Sequence, residues 1–358
     1  MKDSNIGIKN NLNKLYEDNV PRSVLDKMEL AFNEIREMKD TEIKQERTIK
    51  KSWRRPLVAA ATITILVGLS FCRPVVAAVK AIFNINDRGI ERAVDNNYVQ
   101  NNSSVVEYKN IKISIDNLVI DNSKLAYGVS AEFKDKSMLK DGDRIYFQGI
   151  IKNAEGKVID NSLSDNQEVP NDYTTIIGSS QEEGSFNKEG DKYSAKTLLI
   201  SPEGMITKTS ALKFEIKNIV VFKDNKVVNN IAGDWKLNVK IDDKFWDVKT
   251  VRYNVSKKVN DVEILKAEAG TTSLNIKFKV PGRIDENIAF SYIKDDKGHV
   301  YHIDRDLSEG YEDGYTIAST NYSITKFDNV NNLKLYINCD DTDKKTKKEI
   351  VVDLEREK

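Results

Sequence analysis

Histidine and cysteine are nearly missing from this chain, with 2 of each among 358 residues. Two histidines, His299 and His302, leave little material for imidazole-based catalysis. Cys72 and Cys339 lie far apart, and Cys339 alone cannot form a disulfide framework in the long C-terminal portion. There is no charge excess of either sign, since 56 lysines and arginines balance 56 aspartates and glutamates, so no global basic surface points to nucleic acid. A glycine-rich phosphate loop is absent, and Ser201-Pro202 and the other serines have neither a partnered base nor a nucleophile-elbow glycine pattern. The N-terminal tail has no zinc-type spacing of histidine and cysteine. These absences argue against an enzyme and imply no cofactor and no metal site.

Long apolar runs are also missing, with one exception. In RRPLVAAATITILVGLSFCRP, Arg54–Pro74, the residues from Pro56 to Cys72 carry no charge over about 17 positions, the short end of a membrane-spanning helix. Leu57, Ile63, Ile65, Leu66, Leu69 and Phe71 supply its apolar bulk, with Trp53 at the interfacial position and Arg54 and Arg55 beside it. Lys44, Arg47, Lys50 and Lys51 add to the upstream basic flank, while Arg73 and Lys80 are the nearest downstream cations. The positive-inside rule then places the N-terminus in the cytoplasm and the rest of the chain outside, as a single-pass protein of the cell membrane. The run begins too far into the chain for an ordinary signal peptide. Val76-Ala77-Ala78 could still serve as a cleavage site, and Leu69-Ser70-Phe71-Cys72 departs from a lipoprotein box by its phenylalanine.

Residues 1–53 form a polar tail with one amphipathic pattern. Val24, Leu25, Met28, Ala31, Phe32, Ile35 and Met38 recur at steps of three and four, with Pro21 suited to the first helical turn and Asn19 as a candidate cap just before it. A tail this small cannot build its own core. Its stripe therefore dimerises, lies on the membrane, docks into a partner groove, or idles as a juxtamembrane helix. The acidic opposite face disfavours the membrane surface. Val24, Leu25, Met28, Phe32 and Ile35 are the candidate partner-binding residues.

Past the run, residues 80–104 read as a helical or linker segment interrupted by Gly89 and ending in the polar link DNNYVQNNSS. From Val105 the period changes to two. Ile111, Ile113 and Ile115 share one strand face, a turn follows at Asp121-Asn122-Ser123, and Leu125, Tyr127, Val129, Ala131 and Phe133 share another face. RIYFQGIIKN, KYSAKTLLI and LKFEIKNIVVF continue the pattern, with turns such as Glu155-Gly156 between strands. The second half repeats the first: IIKNAEGKVID resembles YIKDDKGHVYH, LKFEIKN resembles LKLYINC, and VEILKAEAGTTSLNIKFKV echoes Ile111 to Phe133. The expectation is a mainly β protein with two tandem β-sandwiches over 105–230 and 231–358. The junction could instead lie nearer Tyr253, with GDWKLNVKIDD closing the first sandwich. His299 and His302 sit around a hairpin at a spacing that points them to opposite faces of a strand, poor for sharing a metal. Asp141-Gly142-Asp143 and Asp340-Asp341-Thr342-Asp343 lack the order of a calcium loop and read as solvated turns. Lys344 to Lys348 reads as a solubilising hairpin tip.

AVDNNYVQ followed by VVEYKNIKISIDNLVIDNSKLAYGVSAEF resembles a Gram-positive family of single-span membrane proteins grouped as a domain of unknown function. The resemblance is best from the apolar run to about Phe133. Asn97 stands before Tyr98 where family members often have glycine, and asparagine is the next most tolerant residue of a left-handed backbone. Many members are encoded beside extracytoplasmic-function sigma factors and regarded as their negative effectors. The resemblance thus implies an anti-sigma-factor-like regulator with a cytoplasmic sigma factor as partner and an immunoglobulin-like C-terminal domain. The contrasting expectation is a non-catalytic envelope protein whose sandwiches bind wall polymer or another protein.

Overall fold

The computed structural model describes residues 87–357 apart from 141, 164–178, 181–191, 225, 255–257, 260, 283–290 and 342–345. Every described residue belongs to one compact unit of the chain. The stripe of Val24, Leu25, Met28, Phe32 and Ile35, expected to be helical, lies outside the described residues, as does the apolar run with Trp53 through Phe71. Among the described residues no helix is long and apolar enough to cross a membrane.

The described chain is mainly β, with one α-helix, α1 (Arg88–Asp95). Asp87 caps it, accepting from Ile90 N at 2.9 Å, which satisfies one of the donors a helix start leaves open. Gly89, expected to interrupt the segment, instead lies in the first helical turn. Asn97 adopts φ 62° just past the helix, the left-handed conformation its side chain tolerates. The next residues are not a loose linker: β1 (Gln100–Tyr108) begins within the polar link and pairs with β2 (Ile111–Ile120).

β2 continues through the Asp121 turn into β3 (Lys124–Phe133). β4 (Arg144–Asn153), β5 (Val158–Asn161), β6 (Ser179–Ser180), β7 (Lys192–Ile200), β8 (Ala211–Lys223) and β9 (Lys226–Lys240) complete two antiparallel sheets, ordered β1-β2-β3-β7-β6 and β5-β4-β8-β9. Their facing sides share one core that includes Ile113, Val129, Phe147, Phe214 and Trp235. Alternation in β4 puts Ile145, Phe147 and Ile151 inside, as period two requires. β2 and β3 are buried on both faces near the Asp121 turn because Ile90, Ala93 and Val94 of α1 cover Val119, Ala126, Leu198 and Ile200. Trp235 is fully buried, donates from Nε1 to Ile111 O at 3.1 Å, and lies across Gly233. A Cβ at Gly233 would meet its ring at 2.1 Å.

The boundary expected between residues 230 and 231 falls inside β9, which pairs with β8 from Lys226 to Lys240. The reason is the burial of Trp235, Leu237 and Val239 in the first core, so GDWKLNVKIDD closes the first sandwich. The chain then passes through β10 (Val251–Arg252), β11 (Lys258–Val259), β12 (Val262–Ala269), β13 (Leu274–Pro281), β14 (Tyr292–Asp295), β15 (Val300–Glu312), β16 (Tyr315–Tyr322), β17 (Asn332–Asp341) and β18 (Thr346–Glu355). β15 pairs with β14 at one end and with β16 at the other, with a register break between Ile303 and Leu307. The continuous sheet thereby folds into two layers around Ile276, Phe278, Tyr322, Leu335 and Val352.

The internal repeat extends to strand order and turn chemistry. β5-β4-β8-β9 and β15-β14-β17-β18 have the same neighbours. In the β4–β5 hairpin Asn153 Oδ1 accepts from Lys157 N at 2.7 Å and Gly156 has φ 90°. In the β14–β15 hairpin Asp295 Oδ1 accepts from His299 N at 2.8 Å and Gly298 has φ 85°. Each turn uses a short polar side chain to fold the loop back and glycine where the backbone turns left-handed.

Candidate functional site

A dense set of polar contacts forms a seam where the two sandwiches meet. It starts from the turn between β2 and β3, where Asp121 is 6% exposed. Its Oδ1 accepts from Ser123 N at 2.8 Å and Lys124 N at 2.9 Å, an Asx turn. Its Oδ2 reaches the other sandwich, accepting from Thr272 N and Thr272 Oγ1, both at 2.8 Å. Thr272 lies in the β12–β13 turn, the counterpart of the Asp121 turn in the repeat. The chain after β7 adds a second set of contacts. Ser201 O accepts from Asn321 Nδ2 at 2.8 Å, and Pro202 O accepts from Asn275 Nδ2 at 2.6 Å and Ser319 Oγ at 2.8 Å. Ser201-Pro202 thus has a backbone role in joining the sandwiches.

Charges reinforce the seam. Lys124 is wholly buried, with Nζ 2.6 Å from Asp87 Oδ2 and 2.8 Å from Asp304 Oδ2. Asp304 Oδ1 accepts from Ser323 Oγ at 2.6 Å. Burial works against the Lys124 charge, but Asp304 and Asp87 outweigh it and hold its pKa above the ordinary lysine value. Burial raises Asp304, with Asp87 acting in the same direction and Lys124 opposing both. That is the expected result of two carboxylates sharing one cation. Alongside, Arg88 grips Asp328 with Nη1 at 3.1 Å and Nη2 at 2.7 Å, and Arg92 Nε reaches Asp328 Oδ1 at 3.0 Å. Arg88 also donates to Ser323 O. Burial pushes Asp328 up, yet hydrogen bonds from Arg88 and Thr325 carry it below the usual carboxylate range. These charged groups fasten α1, part of the first sandwich's cover, to the second sandwich.

Beside this seam lies a cleft of about 190 Å³, bordered by both sandwiches and by the connector after β9. Trp246 of that connector donates from Nε1 to Thr209 O at 3.0 Å, which fixes its ring. Lys266 and Glu268 of β12 lie on the rim 3.8 Å apart, and Arg252 Nε is 2.7 Å from Glu268 Oε1. Thr271 and Asn275 belong to the same lining, and their fully buried atoms Thr271 Oγ1 and Asn275 Oδ1 find no hydrogen-bond partner among the described residues.

Other sequence candidates are scattered. His299 Nδ1 lies 2.8 Å from Asp295 Oδ2 in the hairpin turn, and His302 is on β15 with its ring 6.2 Å from that of Tyr292. Asp143 accepts from Lys140 N at 2.7 Å in a local turn. No group of three or more histidine, cysteine, aspartate or glutamate side chains among the described residues is arranged to hold a metal. Thr342, Asp343, Lys344 and Lys345, at the tip between β17 and β18, fall outside the described residues. The seam itself was not read from the sequence. Asp87 before RGIERAVD is a legible cap, and Arg88 and Arg92 are one helical turn apart, but their partners are more than 230 positions away in the chain.

Residues 48–133 match the family described as a domain of unknown function (DUF4179). The match runs from the basic flank of the apolar run to Phe133, the end of β3, the segment on which the resemblance to a domain-of-unknown-function family rests. No curated protein matches the chain. A solved structure described as the crystal structure of the conserved domain protein from Bacillus anthracis is similar at 18% identity, over 73% of this chain and 92% of that one, with a TM-score of 0.41.

Proposed function

We propose that this protein is a membrane-anchored negative regulator of an extracytoplasmic-function sigma factor, with a sensor or binding region outside the membrane. In this reading residues 1–53 are cytoplasmic, 54–79 form the single-pass anchor, and both sandwiches are immunoglobulin-like and non-catalytic. The observation that carries it is the position of α1. It follows the predicted anchor in the chain, and Asp87, Arg88 and Arg92 tie it to Lys124, Asp304 and Asp328 in the seam. A ligand with unequal affinity for an open and a closed seam would shift that equilibrium. The shift would act where the chain leaves the membrane.

On the other side, the stripe of Val24, Leu25, Met28, Phe32 and Ile35 would hold the sigma factor as a helix in a groove. Each fully buried side chain of this kind contributes about 1.5–3 kcal/mol. Replacing Leu25, Met28 and Phe32 together with aspartate is therefore expected to abolish sigma-factor retention in a pull-down. Retention by the triple variant would sink the helix-docking idea. The cleft beside the seam favours a second reading, a non-catalytic envelope binding protein with a passive tail. Deleting the residues before Lys50 separates the two, because an unchanged transcript profile supports the second and rejects the first.

A further inference from the structure

We infer that two copies of this chain pair through the outer edge of β9 over residues 226–231, joining two four-stranded sheets into one continuous sheet. β9 is the last strand in the order β5-β4-β8-β9, so its second edge has no strand partner among the described residues. The fold covers most of that edge with side chains of β1 and of the turn after it. Lys240 O accepts from Gln100 Nε2 at 2.6 Å, Asn238 O from Ser104 Oγ at 3.1 Å, and Ala232 O from Lys109 Nζ at 2.9 Å. Among the described residues this cover stops at Ala232. Asn230 lies two positions earlier, so its N–H faces the same edge. It donates to the adjacent Asn229 Oδ1 at 2.9 Å, a local bond that an incoming strand can replace. Val227 and Val228 lie in this stretch. At 59% and 54% they are the most exposed large apolar side chains among the described residues.

Natural sheet edges are blunted by charge, proline or a covering segment, and this stretch has none of the three. Residues 227–233 read VVNNIAG, with no charge and no proline, in a chain whose residues are 31% charged. The internal repeat supplies the contrast. β18 holds the place of β9 in the second sandwich, yet it opens with TKKE. Its far end is closed by the bridge between Tyr253 and Arg356 and by Asn254 N, which donates to Glu355 O at 2.7 Å. The same strand position is guarded in one sandwich and bare in the other.

An edge of free N–H and C=O groups is matched by another extended backbone, and two features make a second β9 the fitting one. The first is charge. A neutral, β-branched strand is complemented by a strand that is also neutral. Antiparallel pairing of β9 with its copy places the two Lys226 side chains at opposite ends of the ladder, so no like charges meet. The second is closure. A two-fold contact uses both open edges and leaves none, whereas a foreign strand added to β9 would present a new open edge of its own.

The test uses the full-length protein in detergent, with Cys72 and Cys339 changed to serine. Single cysteines are then introduced by Val227→Cys, Val228→Cys, Asn229→Cys and Asn230→Cys. Oxidation should cross-link two copies, most at the position nearest the two-fold axis and less on either side of it. Val300→Cys, at a position 45% exposed on β15, is the control. A contact of this size belongs to the weak, transient class, so sedimentation should show dimerisation in the range of roughly 10–100 μM. Val228→Lys and Val228→Glu should each weaken it about tenfold, and mixing the two variants should recover it. Neither should move the melting temperature, because the side chain is exposed. Cross-linking no greater than the control at all four positions overturns the inference, as does a dimerisation constant unmoved by both charged variants. In membranes of expressing cells, a product at twice the chain mass supports it. A product with a different protein, and none at twice the chain mass, overturns it. The inference stands apart from what the tail binds: sigma-factor retention and β9 cross-linking are separate readouts of one preparation, and either can fail alone.

Discussion

Lys124→Met is the sharpest perturbation of the seam. Methionine nearly preserves the shape of the lysine stem and removes the charge. Lys124 is fully buried, and its ammonium lies 2.6 Å from Asp87 and 2.8 Å from Asp304. Without it, two carboxylates with 8% and 11% exposed side chains face one another across an apolar thioether. Each retains one hydrogen bond, Asp87 from Ile90 N and Asp304 from Ser323 Oγ. Breaking a buried ion pair in this way costs about 3–5 kcal/mol. At about 2–4 °C per kcal/mol for a β region of this size, the melting temperature should fall by roughly 6–20 °C. The pH dependence separates charge from packing. Asp304 is already raised by burial, and loss of Lys124 raises it further. A carboxyl whose folded pKa exceeds its unfolded value binds more protons when folded, so stability falls as pH rises through that window. The deficit of Lys124→Met should therefore be smaller at pH 5 than at pH 7, and adding Asp304→Asn should recover part of it at pH 7. Urea unfolding of wild type, single and double variants at both pH values measures all of this. A deficit below about 1 kcal/mol, or one that does not shrink at pH 5, would refute the claim that charge compensation holds the seam.

Gly89→Ala should loosen α1 from the second sandwich, because its Cβ would stand 1.8 Å from Thr272 O, a backbone atom. A loss of about 1–3 kcal/mol is expected, with faster amide exchange over residues 88–95; unchanged exchange would show that the close approach is not needed. Asp160→Asn should act oppositely. Burial pushes the Asp160 carboxyl up to about 6 from 3.8, so the wild-type fold loses stability as pH rises from about 4 to 6 and carries the cost above that range. The asparagine variant should gain about 1–3 kcal/mol at pH 7 and flatten the melting-temperature profile across that interval; a profile of unaltered slope would count against the buried charge.

How much of this was legible in the sequence follows from what is local. Period-two alternation in RIYFQGIIKN and the Asn153 and Asp295 turns report on neighbours a few residues away, so strands, hairpins and the repeat could be read directly. Asn97 could be placed in a left-handed turn for the same reason. The boundary near residue 230 could not, because only burial of Trp235 under Ile111, more than 120 positions earlier, shows which core owns that strand.

The chemistry of the seam was further out of reach. Lys124 begins KLAYGVSAEF and looks in sequence like any solvated strand end, and nothing local distinguishes Thr271 or Asn275 from exposed turn residues. Their burial arises because two copies of one turn, around Asp121 and around Thr272, are brought face to face with α1 lodged beside them. The sequence alone determined the alternation that makes sheets, the turn residues that connect them and the uncharged apolar run from Pro56 to Cys72. Tertiary structure decided which polar groups lose water, because desolvation depends on segments that meet across the fold and leave no periodic trace in the chain.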